Sequence, residues 1–164
     1  MVFEELFRDL EKNKIQYLVV GGVAVVLHGF LRSTADLDLM VALNPPNLKA
    51  FLELMTQKGY KPKAPVRVMD FLSLKNRREW KRKKGMLVFS FYHPAKPPEL
   101  IDVFVDEPIP FNRAFQQRES ISIGKTTISV INVQDLITLK KKAGRPQDLE
   151  DIRALKKLKG IKKK

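Results

Sequence analysis

The sequence contains no cysteine, which excludes disulfides, zinc–thiolate centres and cysteine nucleophiles. Its two histidines, His28 and His93, lie far apart and argue against a histidine-based metal site; both read as structural. No apolar run approaches the ~18 residues of a membrane span. From Met1 to Asp9 charge alternates with apolar residues, unlike a signal peptide. A soluble, cytoplasmic protein is expected. Low-complexity linkers and repeats are absent too, and 164 residues with 44% hydrophobic content suffice for a core. The expectation is a single domain over 1–164, with C-terminal helices at about 133–158 and a basic tail.

Charge is in excess, at +13. Between Lys140 and Lys164 eleven lysines and arginines face three acids. A second basic cluster, Lys75, Arg77, Arg78, Lys81, Arg82, Lys83 and Lys84, surrounds Trp80. These segments suit a polyanion such as RNA, since neutralised phosphates release counterions; the alternative is a solvated lysine-rich surface. Trp80 reads either as a base-stacking platform or as a partly buried anchor.

Periodicity gives a helix over 2–13 and a buried strand over 16–20 that stops at Gly21-Gly22. A short helix over 23–28 and an alternating strand over 36–41 follow. Pro45-Pro46 opens a helix to about Gln57. Strands are expected at 66–74, 86–92 and 100–105, with a helix conceivable around Trp80. A hairpin, 119–123 and 126–131, turns at Gly124-Lys125. Helices over 133–143 and 147–158 end the chain, the last burying Leu149, Ile152, Leu155 and Leu158. Interleaved strands and helices define a mixed α/β (α+β) fold, a β-sheet flanked by helices.

The chemistry concentrates between Val20 and Leu39. Glycines after a strand let the backbone approach phosphate oxygens, and a following helix offers free N–H groups. Residues i and i+2 of a strand share a face, so Asp36 and Asp38 aim two carboxylates at one place while Leu37 and Leu39 turn to the core. Paired carboxylates repel unless a cation separates them, and hard divalent ions prefer oxygen. Asp102, alone in the apolar strand Ile101 to Val105, would complete a three-carboxylate site. Asp106 shares its face but lies roughly 13 Å along.

This pattern resembles the nucleotidyltransferase superfamily related to polymerase beta. Val20-Gly21-Gly22, thirteen intervening residues and Asp36-Leu37-Asp38-Leu39 fit its signature, and Ile101-Asp102-Val103 fits its third acid. His28 to Asp36, and Leu139 through Ala143-Gly144-Arg145-Pro146-Gln147-Asp148 to Ile152, are similar to the minimal AbiEii-type nucleotidyltransferases of toxin–antitoxin systems. The resemblance covers roughly 15–155. It implies a nucleotidyltransferase-like fold and transfer of a nucleotidyl group from an NTP, with two magnesium (or manganese) ions. Asp36 and Asp38 would ligate both ions; Asp102 would ligate one and help deprotonate the acceptor. Acceptors in question are RNA, including tRNA ends, a protein side chain or a small molecule. An antitoxin or a second copy of the chain would be the partner. The rival reading is a catalytically inactive domain of this fold that binds RNA or protein.

Around this core, Gly21 and Gly22 would cradle phosphate, and Ser33 and Arg32 would contact triphosphate oxygens. Arg32 could equally pair with one of the aspartates. Lys140 is a further phosphate candidate and Arg145 another; Lys140 to Lys142 also read as the solvated end of a helix. Asp148, Glu150 and Asp151 read as ordinary first-turn acids.

Overall fold

The computed structural model describes residues 2–162; Lys163 and Lys164 of the basic tail lie outside the described residues. The chain begins with helix α1, Glu4–Lys12, whose acids Glu4 and Glu5 suit its N-terminus and which buries Leu6, Phe7 and Leu10. Strand β1, Tyr17–Val20, is buried on both faces and runs straight into α2, Gly21–Leu27. The helix therefore starts at the glycine pair itself, two residues ahead of the expected Val23. Strand β2, Leu37–Val41, follows. Helix α3, Pro45–Gln57, opens on two prolines, with Asn44 accepting from the Asn47 N–H.

Residues 66–74 form no strand. A 3-10 turn, Val68–Leu72, takes their place, because the Asp70 carboxylate accepts from the Arg67 N–H at 3.0 Å. Such local side-chain bonding competes with sheet pairing. Helix α4, Leu74–Lys84, capped by Ser73, carries Trp80. The two-residue β3, Lys61–Pro62, precedes them; β4, Val88–Tyr92, and β5, Leu100–Phe104, follow. A short helix without a sequence signal, α5, Phe111–Gln116, leads to the hairpin β6, Glu119–Ile123, and β7, Thr126–Val130. Helices α6, Val133–Ala143, and α7, Pro146–Lys162, complete the chain.

Among the described residues seven strands form one mixed sheet in the order β3-β4-β5-β2-β1-β7-β6. β2 and β5 are parallel neighbours, as are β1 and β7; the other pairs are antiparallel. The row Val19–Leu39–Val103–Phe89 belongs to the closed face, where Phe91 meets Phe51 of α3 edge-on. Trp80, 8% exposed, packs with Phe71 against Phe89. Trp80 is thus an anchor, and the base-stacking alternative falls. Both histidines serve structure: His28 Nε2 meets the Ile131 carbonyl at 2.7 Å. His93 Nδ1 accepts from the Ala95 N–H, leaving Nε2 to donate to the Lys58 carbonyl.

In α7 the buried stripe is displaced from expectation. Leu149 is 50% exposed, whereas Ile152 and Leu155 are buried and Leu158 is half-buried. The stripe starts instead at Asp148 and Asp151.

Phe89 pins the 3-10 turn and α4 to the sheet. Phe89→Ala should therefore cost about 3–5 kcal/mol, and Leu149→Ala within about 0.5 kcal/mol, both measured by urea denaturation.

Candidate active site

The face of the sheet opposite Phe89 carries the row Val20–Asp38–Asp102–Ser90, four residues aligned across β1, β2, β5 and β4. Parallel register sets Asp38 directly against Asp102, and Asp36 enters from the residue before β2. Helices α2 and α6 reach this face near β1, and over β4 and β5 it stays partly open: Val88, Ser90, Leu100, Asp102 and Phe104 are only half-buried.

The three carboxylates feel one another. Burial first, then the charges of Asp102 and Asp36, push Asp38 up to about 7, against the pull of Lys140 and Arg145. Asp102 is also raised, by burial and by Asp36, while a 2.6 Å hydrogen bond donated by Ser90 Oγ and the charge of Lys63 oppose the rise.

Two glycines make this crowding feasible. Gly21 has φ +66°, and a Cβ there would sit 2.0 Å from Asp38 Oδ2. A Cβ on Gly22 would lie 2.6 Å from Thr34 Oγ1 and 2.8 Å from Arg32 Nη2. The loop between α2 and β2 therefore closes over the glycine pair as only glycine permits. With seven residues, α2 has a short dipole, so side-chain cations dominate the local field.

Those cations are held by acids of α7. Arg32 straddles Asp151, its Nε 3.0 Å from Oδ1 and its Nη2 donating to Oδ2 at 3.1 Å. Lys140 Nζ lies 2.9 Å from Asp151 and 3.3 Å from Asp148. Arg145 donates to Asp148 through Nε at 2.8 Å and through its backbone N–H at 3.0 Å. Burial alone would raise Asp148, yet the Arg145 and Lys140 contacts hold its carboxyl below the ordinary range. Asp148 and Asp151 are 1% and 0% exposed, so both are buried counter-ions, and Asp148 also caps α7 by accepting from the Arg145 N–H. Arg32 pairs with Asp151 and with neither Asp36 nor Asp38. Lys140 is 5% exposed, which removes it from the solvated helix end, where Lys141 and Lys142 remain exposed.

Gly21, Gly22, Arg32, Ser33, Asp36, Asp38, Lys140 and Arg145 all line one cleft of about 360 Å³. A contiguous chamber of about 530 Å³ shares Asp36, Asp38 and Lys140, reaches Asp102, and has an apolar wall that includes Leu87, Phe104 and Leu139. Every expected site residue thus borders one composite cleft. Thr34, Gln147 and Asp148, absent from the expectation, join it, and Ser90 holds Asp102 from outside its lining. For Asp148 and Asp151 the sequence held a signal: with Ile152 and Leu155 they occupy positions i, i+3, i+4 and i+7 of one helical face.

The site suits divalent cations by its donors. Its carboxylates offer oxygen donors, and burial together with the charges of Asp102 and Asp36 lifts Asp38, a cost that a bound cation would relieve. Among the described residues, however, no three His, Asp or Glu side chains lie close enough together to hold a metal ion as they stand; Asp102 spends one oxygen on Ser90.

A carboxyl raised on folding binds its proton more tightly in the native state. The contribution of Asp38 to stability without divalent cations should therefore be full below about pH 4 and be lost as pH rises towards about 7. Urea denaturation across this window should show the slope, and Asp38→Asn should flatten it. Asp151→Asn should cost about 3–5 kcal/mol by leaving buried cations under-compensated, a loss that the same denaturation reads.

The sequence matches, over residues 1–161, the family model described as Nucleotidyltransferase of unknown function (DUF6036). No curated protein matches it. Among solved structures it is similar to the lincosamide antibiotic adenylyltransferase LnuA in its lincomycin-bound form, with TM-score 0.60 and 15% identity over 94% of each chain. ANT(2")-Ia in complex with adenylyl-2"-tobramycin gives TM-score 0.59 and 14% identity over 99% of this chain and 89% of that one. A putative nucleotidyltransferase from Thermotoga maritima gives TM-score 0.58 and 13% identity, over 99% and 92%. At such identities the likeness establishes the fold. The family match goes further: the chain belongs to the DUF6036 family of nucleotidyltransferases.

Proposed function

We propose that this chain moves a nucleotidyl group from an NTP to a hydroxyl of RNA, releasing pyrophosphate. The reading is carried by the opposition of Asp38 and Asp102 across β2 and β5, in a cleft whose facing wall presents Arg32, Lys140 and Arg145. Asp36, Asp38 and Asp102 would hold divalent cations, magnesium or manganese, which when bound neutralise phosphoryl charge and acidify the attacking hydroxyl.

The chain's own groups do the rest. Gly21 and Gly22 let Asp38, Thr34 and Arg32 pack against their backbone, and the triphosphate would lie beside them, next to Ser33, in the cleft that they line. Arg32 and Lys140, fixed by Asp151, present preset positive charge to its oxygens, so little reorganisation is needed as charge shifts to the leaving group. The acceptor oxygen forms its bond to the α-phosphorus as the bond to the bridging oxygen breaks, and pyrophosphate departs. Asp102, raised above the ordinary carboxylate range, is suited to take the hydroxyl proton.

RNA is favoured by the approach. Lys75, Arg78, Lys81, Arg82, Lys83 and Lys84 of α4 are exposed, and the helix leads through Gly85 and Met86 to Leu87 and Val88, which border the chamber beside Asp102. Arg77 leaves this cluster, being buried.

Incubation with each labelled NTP, magnesium and total RNA should label an RNA species. Asp38→Asn and Asp102→Asn should each lower the rate at least ~10²-fold with unchanged circular dichroism. Absence of label with every NTP, together with no magnesium effect on the melting temperature, would leave a binding domain without catalysis.

A further inference from the structure

Arg77 is the one basic residue of α4 that turns inward. It is 7% exposed, and among the described residues its Nε has no hydrogen-bond partner. Its guanidinium lies 5.9 Å from the centre of the Phe71 ring, a weak compensation for a buried charge. Burial, and then Arg78, lower its proton affinity, and no acid offsets them. Two acids line the same cavity without pairing with Arg77: Asp106 pairs with Lys81, and Glu107 accepts from the Phe111 N–H at 3.3 Å.

The side chain borders a cavity of about 400 Å³ remote from the carboxylate face. Its walls are the segments just past β2 and β5, the start of α4 and the start of α5. Leu43, Leu74 and Phe111 make it apolar on one side, and Asn112 adds an amide. Leu74 is 51% exposed, so apolar surface stands open beside an unpaired cation.

We infer that this cavity is a second ligand site, taking a small monocarboxylate with an apolar body. A carboxylate matches the planar fork of arginine and supplies the missing counter-charge. Asp106 and Glu107 at the rim repel a dianion such as phosphate more strongly than a monoanion. An apolar tail covers Leu74 and Leu43, and the volume is that of small-molecule sites.

The test uses hexanoate with the whole protein. Hexanoate should raise the melting temperature saturably and move the Arg77 Nε–H signal in nitrogen-15 NMR. Hexanol, and phosphate at matched ionic strength, should do neither. Arg77→Met should weaken hexanoate binding about tenfold or more, and the NMR signal of the unaltered protein decides the matter should that variant fold poorly. A response equal for hexanol, saturation by phosphate, or hexanoate binding that leaves the Arg77 signal unmoved would overturn the assignment. So would the absence of any saturable response. None of these readouts depends on nucleotidyl transfer.

Discussion

Asp38 and Asp102 stand opposite each other on adjacent parallel strands, and a hydrogen-bonded sheet gives them no freedom to part. Their repulsion is built into the register. The surroundings answer it in two ways: Ser90 donates to Asp102, and Lys140 and Arg145 lie close enough to pull Asp38 downward. Neither suffices to restore an ordinary carboxyl. A strand pair that could have carried two valines here instead carries a standing electrostatic cost, the kind of local conflict that marks a functional site.

The cations that line the cleft are themselves constrained. Arg32, Lys140 and Arg145 are drawn back by Asp148 and Asp151, giving a chain of alternating charges from the loop before β2 to the first turns of α7. Buried pairs of this sort add little net stability compared with apolar packing. What they add is direction, because a bidentate guanidinium–carboxylate contact fixes a plane and a lysine between two acids has few alternative rotamers. The cleft wall is therefore set before any ligand arrives.

Much of this was legible in the sequence. The glycine pair, the Asp-x-Asp strand and the isolated Asp102 depend on strand periodicity and on the cost of a lone buried charge, both local properties of the chain. The hairpin at Gly124 followed from turn chemistry. The roles of Asp148 and Asp151 were missed because first-turn acids have an ordinary explanation in the helix dipole, and Leu149 offered a competing apolar stripe. The 3-10 turn at Val68–Leu72 was missed because its cause is a single side-chain contact from Asp70. Arg77 could not be told from its neighbours in a basic run until α4 was placed against the sheet.

The pairing of Arg32 with Asp151 spans 119 positions of the chain. During synthesis at roughly 5–20 residues per second, Arg32 precedes its anchoring acid by about 6–24 s. Over that interval β1 and β2 are available to pair while Arg32 has no fixed counter-ion. The wall of cations is the last part of the cleft to be finished, so a ribosome-bound chain carries Asp36 and Asp38 before that wall is ordered.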